Sequence, residues 1–152
     1  MTQKKNALIE KGIIAGLGIG ESQDQQMAMD EAALNARADV SNFLESKMGS
    51  MEKSYKEEVG EDLTEHMEVV RKNVSSNLVK GATLAEVQVE TSEGVYKVYG
   101  IMVVNPKLVL ESMEAELNAK QADVARFRAS KAYQEANEEF KAYEAYKNNL
   151  NK

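Results

Sequence analysis

Cysteine is absent from the 152 residues. That removes disulfides, thiolate nucleophiles and cysteine-based zinc sites together, while assigning no redox compartment. Histidine occurs once, at His66, so a transition-metal site would have to be built almost wholly from carboxylates. No serine stands with His66 and an activating third group in a pattern that a hydrolase triad needs. Basic charge is also short, with 19 Lys and Arg against 25 Asp and Glu, a net charge of -6. A phosphate-backbone binder displaces counterions with clustered Lys and Arg, so nucleic acid is not expected as a partner. No apolar run reaches the roughly 18 residues of a membrane span. The basic start Met1-Thr2-Gln3-Lys4-Lys5 lacks the following apolar stretch of about 7–15 residues that marks a signal peptide. A native cytosolic protein and a mature domain separated from its signal both fit, and both stay open.

What is present suffices for one domain with an appendage: 43% of residues are hydrophobic, enough for a core. Residues 1–11 are polar and read as a flexible N-terminus, frayed or weakly helical. From Ala15, Leu17 and Ile19 alternate with Gly16, Gly18 and Gly20, the period of a strand with one bare face. Glycine weakens a strand unless another backbone comes close, so a helix is expected against that face. Ser22 is the expected N-cap, with Gln25 completing a capping box. Ala28, Ala32 and Ala36 then form a small-residue ridge at helical spacing, extended by Ala33, Val40, Phe43 and Leu44 over a helix of about 22–48. Residues 50–61 fit either type, because Met51, Tyr55 and Val59 are four apart and four is a multiple of two. The charge there favours an exposed edge strand. A helix over about 63–78 follows, capped by Asp62, with Leu63, Met67, Val70, Val74 and Leu78 on its apolar row. Ala85, Val87 and Val89 alternate with Glu86, Gln88 and Glu90, predicting a strand with one buried face. A turn at Ser92-Glu93-Gly94 leads to a central strand from Val95 to Val104. Asn105-Pro106 starts a helix. No glycine or proline follows it up to Asn149, which predicts one projecting helix of roughly 40 residues. The expected fold is α+β: a small, mostly antiparallel sheet packed by helices on one face, with a long C-terminal helix. The expected organisation is 1–11, a domain over 12–117, and a helical extension over 118–152.

Several groups invite chemistry, and each has a plainer reading. The Gly16/Gly18/Gly20 run places Glu21 where a dinucleotide fingerprint needs glycine, and no Walker sequence follows, so it reads as packing. His66 reads as a solvated surface residue. Glu57, Glu58, Glu61, Asp62 and Glu65 could hold a weak cation but lack calcium-loop spacing, and read as a solvated edge. Met27, Met29, Met48, Met51 and Met67 read as core filling. No catalytic residue, cofactor or metal is expected. The exception is the C-terminal row Tyr133, Phe140, Tyr143, Tyr146 and Leu150. It is read either as buried within the molecule or as a seam for self-association or a protein partner.

Ala15-Gly16-Leu17-Gly18-Ile19-Gly20-Glu21-Ser22, then Ala28, Ala32 and Ala36-Arg37, then Tyr96-Lys97-Val98-Tyr99-Gly100-Ile101-Met102-Val103, resemble the LPP20 lipoprotein family over about residues 13–105. The resemblance implies a Gly-x-Gly strand, an alanine-rich helix, a middle helix and a hairpin. It implies a bacterial envelope lipoprotein, held through an N-terminal lipidated cysteine, with related domains in flagellar outer-membrane components. It supplies no catalytic residue, and this sequence departs from it in having no cysteine. The functional expectation is a non-enzymatic envelope domain acting in binding or assembly. The alternatives are a small-molecule carrier with a pocket near Tyr96 and Tyr99, a cytosolic oligomer, and, least favoured, an enzyme built on the 57–65 cluster and His66.

Overall fold

The computed structural model describes residues 1–59, 64–81, 84–119, 128 and 130–150. Its elements run α1 (Thr2–Glu10), β1 (Ile14–Ser22), α2 (Gln25–Val59), α3 (Thr64–Gly81), β2 (Leu84–Ser92), β3 (Val95–Val104), α4 (Lys107–Ala119) and α5 (Lys131–Leu150). The three strands form one antiparallel sheet in the order β1-β3-β2. The fold is therefore α+β, with β3 central. By contacts the chain groups into two compact units, each drawn from two stretches: Met1–Leu44 with Leu78–Val104, and Glu45–Asn77 with Asn105–Lys152. These divisions fall at other places than 11 and 117.

In the first unit the bare face of β1 meets α2 directly. A Cβ built on Gly16 would lie 2.6 Å from the Ala36 carbonyl oxygen, on Gly18 1.9 Å from that of Ala32, and on Gly20 2.1 Å from that of Ala28. Ala28, Ala32 and Ala36 are completely buried. Hydrogen on one surface and methyl on the other let the two backbones approach to crystal-like density.

The same helix finishes the outer edge of β1. Leu17 donates its backbone N–H to Asp39 Oδ2 at 2.8 Å, and the Ile19 carbonyl accepts from Asn35 Nδ2 at 2.8 Å. These backbone groups point away from β3 and would otherwise be open to pairing. Asn35 and Asp39, four apart, share one stripe of α2.

Of the two readings of residues 1–11, the structure has the helical one. Helix α1 buries Leu8 and packs on β1. Ile13 donates to the Leu8 carbonyl and Gly12 to that of Ile9, with Gly12 at φ 84°. This is a Schellman stop, with the buried Ile13 and Leu8 as the apolar pair that accompanies it. Lys4 reaches Glu86 at 3.3 Å, on the sheet face opposite the glycines, so α1 and α2 meet opposite faces.

Three further expectations are corrected. Strand β1 runs to Ser22, so the cap of α2 is Asp24, whose Oδ1 accepts from the Met27 N–H at 3.1 Å. Ser22 Oγ only accepts from the Asp24 N–H. Helix α2 passes Gly49 and continues through 50–59, so that stretch is helix and not an edge strand. The buried Met48, Met51 and Tyr55 make an i, i+3, i+7 row, and burying it outweighs the roughly 1 kcal/mol that a helical glycine costs. Strand β2 is the sheet's edge, and Val87 and Val89 are 42% and 39% exposed, not buried. The turn is as expected: Ser92 pairs with Val95, and Glu93 and Gly94 both have positive φ, the two-residue type I′ form.

The second unit is helical. Its buried hydrophobic side chains include Met48, Met51, Tyr55, Met67, Val70, Val74, Val109, Leu110, Met113 and Ala136. Arg71 of α3 bridges Glu45 and Glu52 of α2 at 3.2 and 3.6 Å. Asn105 caps α4, its Oδ1 accepting from the Lys107 N–H at 2.9 Å. The expected single helix of 40 residues is instead at least two, because α5 starts afresh after Ser130. The expected Asp62 cap and Leu63 lie outside the described residues, as do the side chains of Leu78 and Leu117.

Candidate functional site

Helix α5 is positioned at its first turn by two side chains. Ser130, 1% exposed, accepts from the Tyr133 N–H at 3.2 Å, and Glu58 Oε2 of α2 accepts from the Lys131 N–H at 2.9 Å. Both satisfy N–H groups that a helix start leaves unpaired, and the carboxylate also suits the positive end of the helix dipole. Further along, Lys47 of α2 and Glu139 of α5 form an ion pair, both largely covered. Among the described side chains of α5, Ala136 is buried, and a small cavity of about 100 Å³ lies beside it between Met51 and Glu139.

The aromatic row lies along this helix. Tyr133, Phe140, Tyr143 and Tyr146 are all half-buried, and Leu150 is 39% exposed. Phe140 and Tyr143 stack with ring centroids 6.4 Å apart, and Lys107 Nζ of α4 sits 4.1 Å from the Phe140 centroid. A cation so placed contributes about 0.5–2 kcal/mol. Burial pushes the Tyr143 phenol above its ordinary value. The second stripe of the C-terminus therefore turns back onto α4 within its own unit, where Lys107 sits over one face of Phe140. Of the row, Phe140 also borders an open groove of about 810 Å³, lined by Lys107, Lys131, Asn137, Lys141 and Glu144 among others.

Among the described residues, the remaining sequence candidates are not assembled into a site. Gly16, Gly18 and Gly20 are strand residues against α2 and form no loop. Glu57 is exposed, and Glu58 serves as the helix cap; Glu61 and Asp62 lie outside the described residues, as do the side chains of Glu65 and His66. Among the described residues no group of three or more His, Asp or Glu could hold a metal ion. Tyr96 and Tyr99, the expected walls of a carrier pocket, are three apart on β3 and so face opposite sides of the sheet. Tyr96 packs on Ala28, Ala32 and Val98, while the Tyr99 ring takes Lys97 Nζ at 5.5 Å. Of the five methionines read as core, Met48, Met51 and Met67 are buried and Met29 packs on the alanine cluster, but Met27 is 64% exposed.

The class these observations define is an α+β domain whose sheet is closed against an alanine helix and whose candidate surface is a half-covered aromatic helix. Comparison with protein-family models, with curated proteins and with solved structures finds no match.

Proposed function

We propose that the chain is a non-enzymatic binding or assembly domain of the bacterial envelope that works through protein–protein contacts on α5. The observation that carries the reading is the incomplete burial of Tyr133, Phe140, Tyr143 and Tyr146, which share a helix with the exposed Leu150. Rings left part-wet along one helix are the kind of anchor that interfaces use. The envelope part is supported by the LPP20-like Gly-x-Gly strand and alanine helix. The test is sedimentation velocity over a range of concentrations, on the wild type and on the double variant Tyr143→Glu/Leu150→Glu. Association that grows with concentration and is lost in the variant, with helicity unchanged, is the expected result. A strict monomer at every concentration, unaffected by the substitutions, sinks the reading. Deleting residues 120–152 is a poorer test, because it also removes the buried Ala136 and the Lys47–Glu139 pair. Fractionation of native cells tests the location: recovery in the cytosolic fraction refutes it.

A further inference from the structure

The two edges of the sheet are treated differently. At the β1 edge, Asn35 and Asp39 occupy the outward backbone groups of Ile19 and Leu17. That bonding also fixes the alternation across the sheet. Leu17 and Ile19 turn away from β3, so their partners Ile101 and Tyr99 turn toward β2 and bond Glu86 and Gln88. Val87, Val89 and Thr91 therefore hold their N–H and C=O groups at the edge that no other described strand pairs. Strand β2 is nine residues long and contains no proline, lysine or arginine; its one irregularity lies at its start, between Leu84 and Glu86, so Val87 to Ser92 form a regular edge. On the glycine side of the sheet it shows Val87 and Val89, 42% and 39% exposed. On the opposite side it shows Glu86, Gln88 and Glu90.

We infer that β2 accepts an added strand from a partner protein, an extended segment in which Lys or Arg alternates with apolar residues. The apolar residues would lie beside Val87 and Val89, and a basic one beside the exposed Glu90. Glu86 is paired with Lys4 and mostly covered. Lys97, opposite Glu90, engages Glu21 and the Tyr99 ring, so Glu90 is the exposed acidic side chain of the row. A second copy of the chain fits worse. In the antiparallel register centred on Gln88, each Glu86 would face a Glu90, and like charges directly opposite are destabilising. This inference is independent of the α5 reading, since it concerns a different unit.

The experiment uses the full chain with a seven-residue peptide of alternating lysine and valine, against a scrambled peptide of the same composition. Amide NMR and hydrogen exchange locate the binding. The expected result is at least tenfold tighter binding of the alternating peptide, with slowed exchange at the amides of Val87, Val89 and Thr91. Val89→Pro, tolerated at an edge whose N–H faces solvent, should abolish it, and so should Val87→Lys if the proline variant folds poorly. Equal binding of the scrambled peptide, protection elsewhere, or no binding overturns the proposal. So does a dimer of the free chain in which those amides are already protected, since a second copy would then be the occupant.

Discussion

Gly18 has the least room of the three ladder glycines, with a Cβ there landing 1.9 Å from the Ala32 carbonyl oxygen and 2.2 Å from the Ala36 nitrogen. Backbone cannot yield as a side-chain tip can, so Gly18→Ala should cost about 3 kcal/mol or more, read as a lowered midpoint in denaturant. Asp39 offers a pH test. Burial pushes its carboxyl up, but the Lys5 ammonium and the Leu17 N–H more than offset this and hold it below its ordinary value. A lowered folded pKa stabilises above the unfolded value and loses that contribution as pH falls through the folded one. The margin of wild type over Asp39→Asn should therefore be full at neutral pH and shrink on acidification; a margin independent of pH would contradict the pairing. The glycine and alanine rows were legible because their spacing is itself the geometry. Asn35 and Asp39 were not, since a polar residue that grips a strand edge looks in sequence like any solvated one. Val87 and Val89 misled because alternation reports a two-sided strand without saying which side is covered.

Among elements, α2 shows how a spacing of four misleads, since Met51 and Tyr55 fit a strand face and a helix row equally well. Length and the buried Met48 decide for helix. Gly49 then sits mid-helix with nothing within 4 Å of where a Cβ would be, so Gly49→Ala should stabilise by about 1 kcal/mol. A thermal midpoint that falls instead would show that the site is not open. The C-terminus misled in the opposite direction. An unbroken run without glycine or proline permits one long helix, but helices also end where caps restart them. Ser130 and Glu58 do so here, and Glu58 is 73 positions away in sequence from the Lys131 N–H it accepts. The stop after α1 could have been read from Leu8, Gly12 and Ile13, whose spacing is that of a Schellman motif.

For the molecule as a whole, the governing quantity is the net charge of -6. Copies of an acidic chain repel one another, and salt screens that repulsion within about 10 Å at 0.1 M. Association through the half-covered rings of α5 should therefore strengthen with added salt. Sedimentation at low and high ionic strength checks this, and weakening with salt would mean that ion pairs hold the contact instead. The two compact units each join stretches from distant parts of the sequence. Neither was visible in a reading that moves from one residue to the next, whereas the sheet order followed once the central strand was recognised by its apolar run.

Rows of hydrogen and methyl work like a vernier. Two strand residues advance about 6.6–6.8 Å, while four helix residues advance about 6.0 Å and turn the row by about 40°. The rungs Gly16 with Ala36, Gly18 with Ala32, and Gly20 with Ala28 thus drift out of step by roughly 0.7 Å each. Such a seam closes over a few rungs and then parts, so lengthening both repeats would add residues without adding contact.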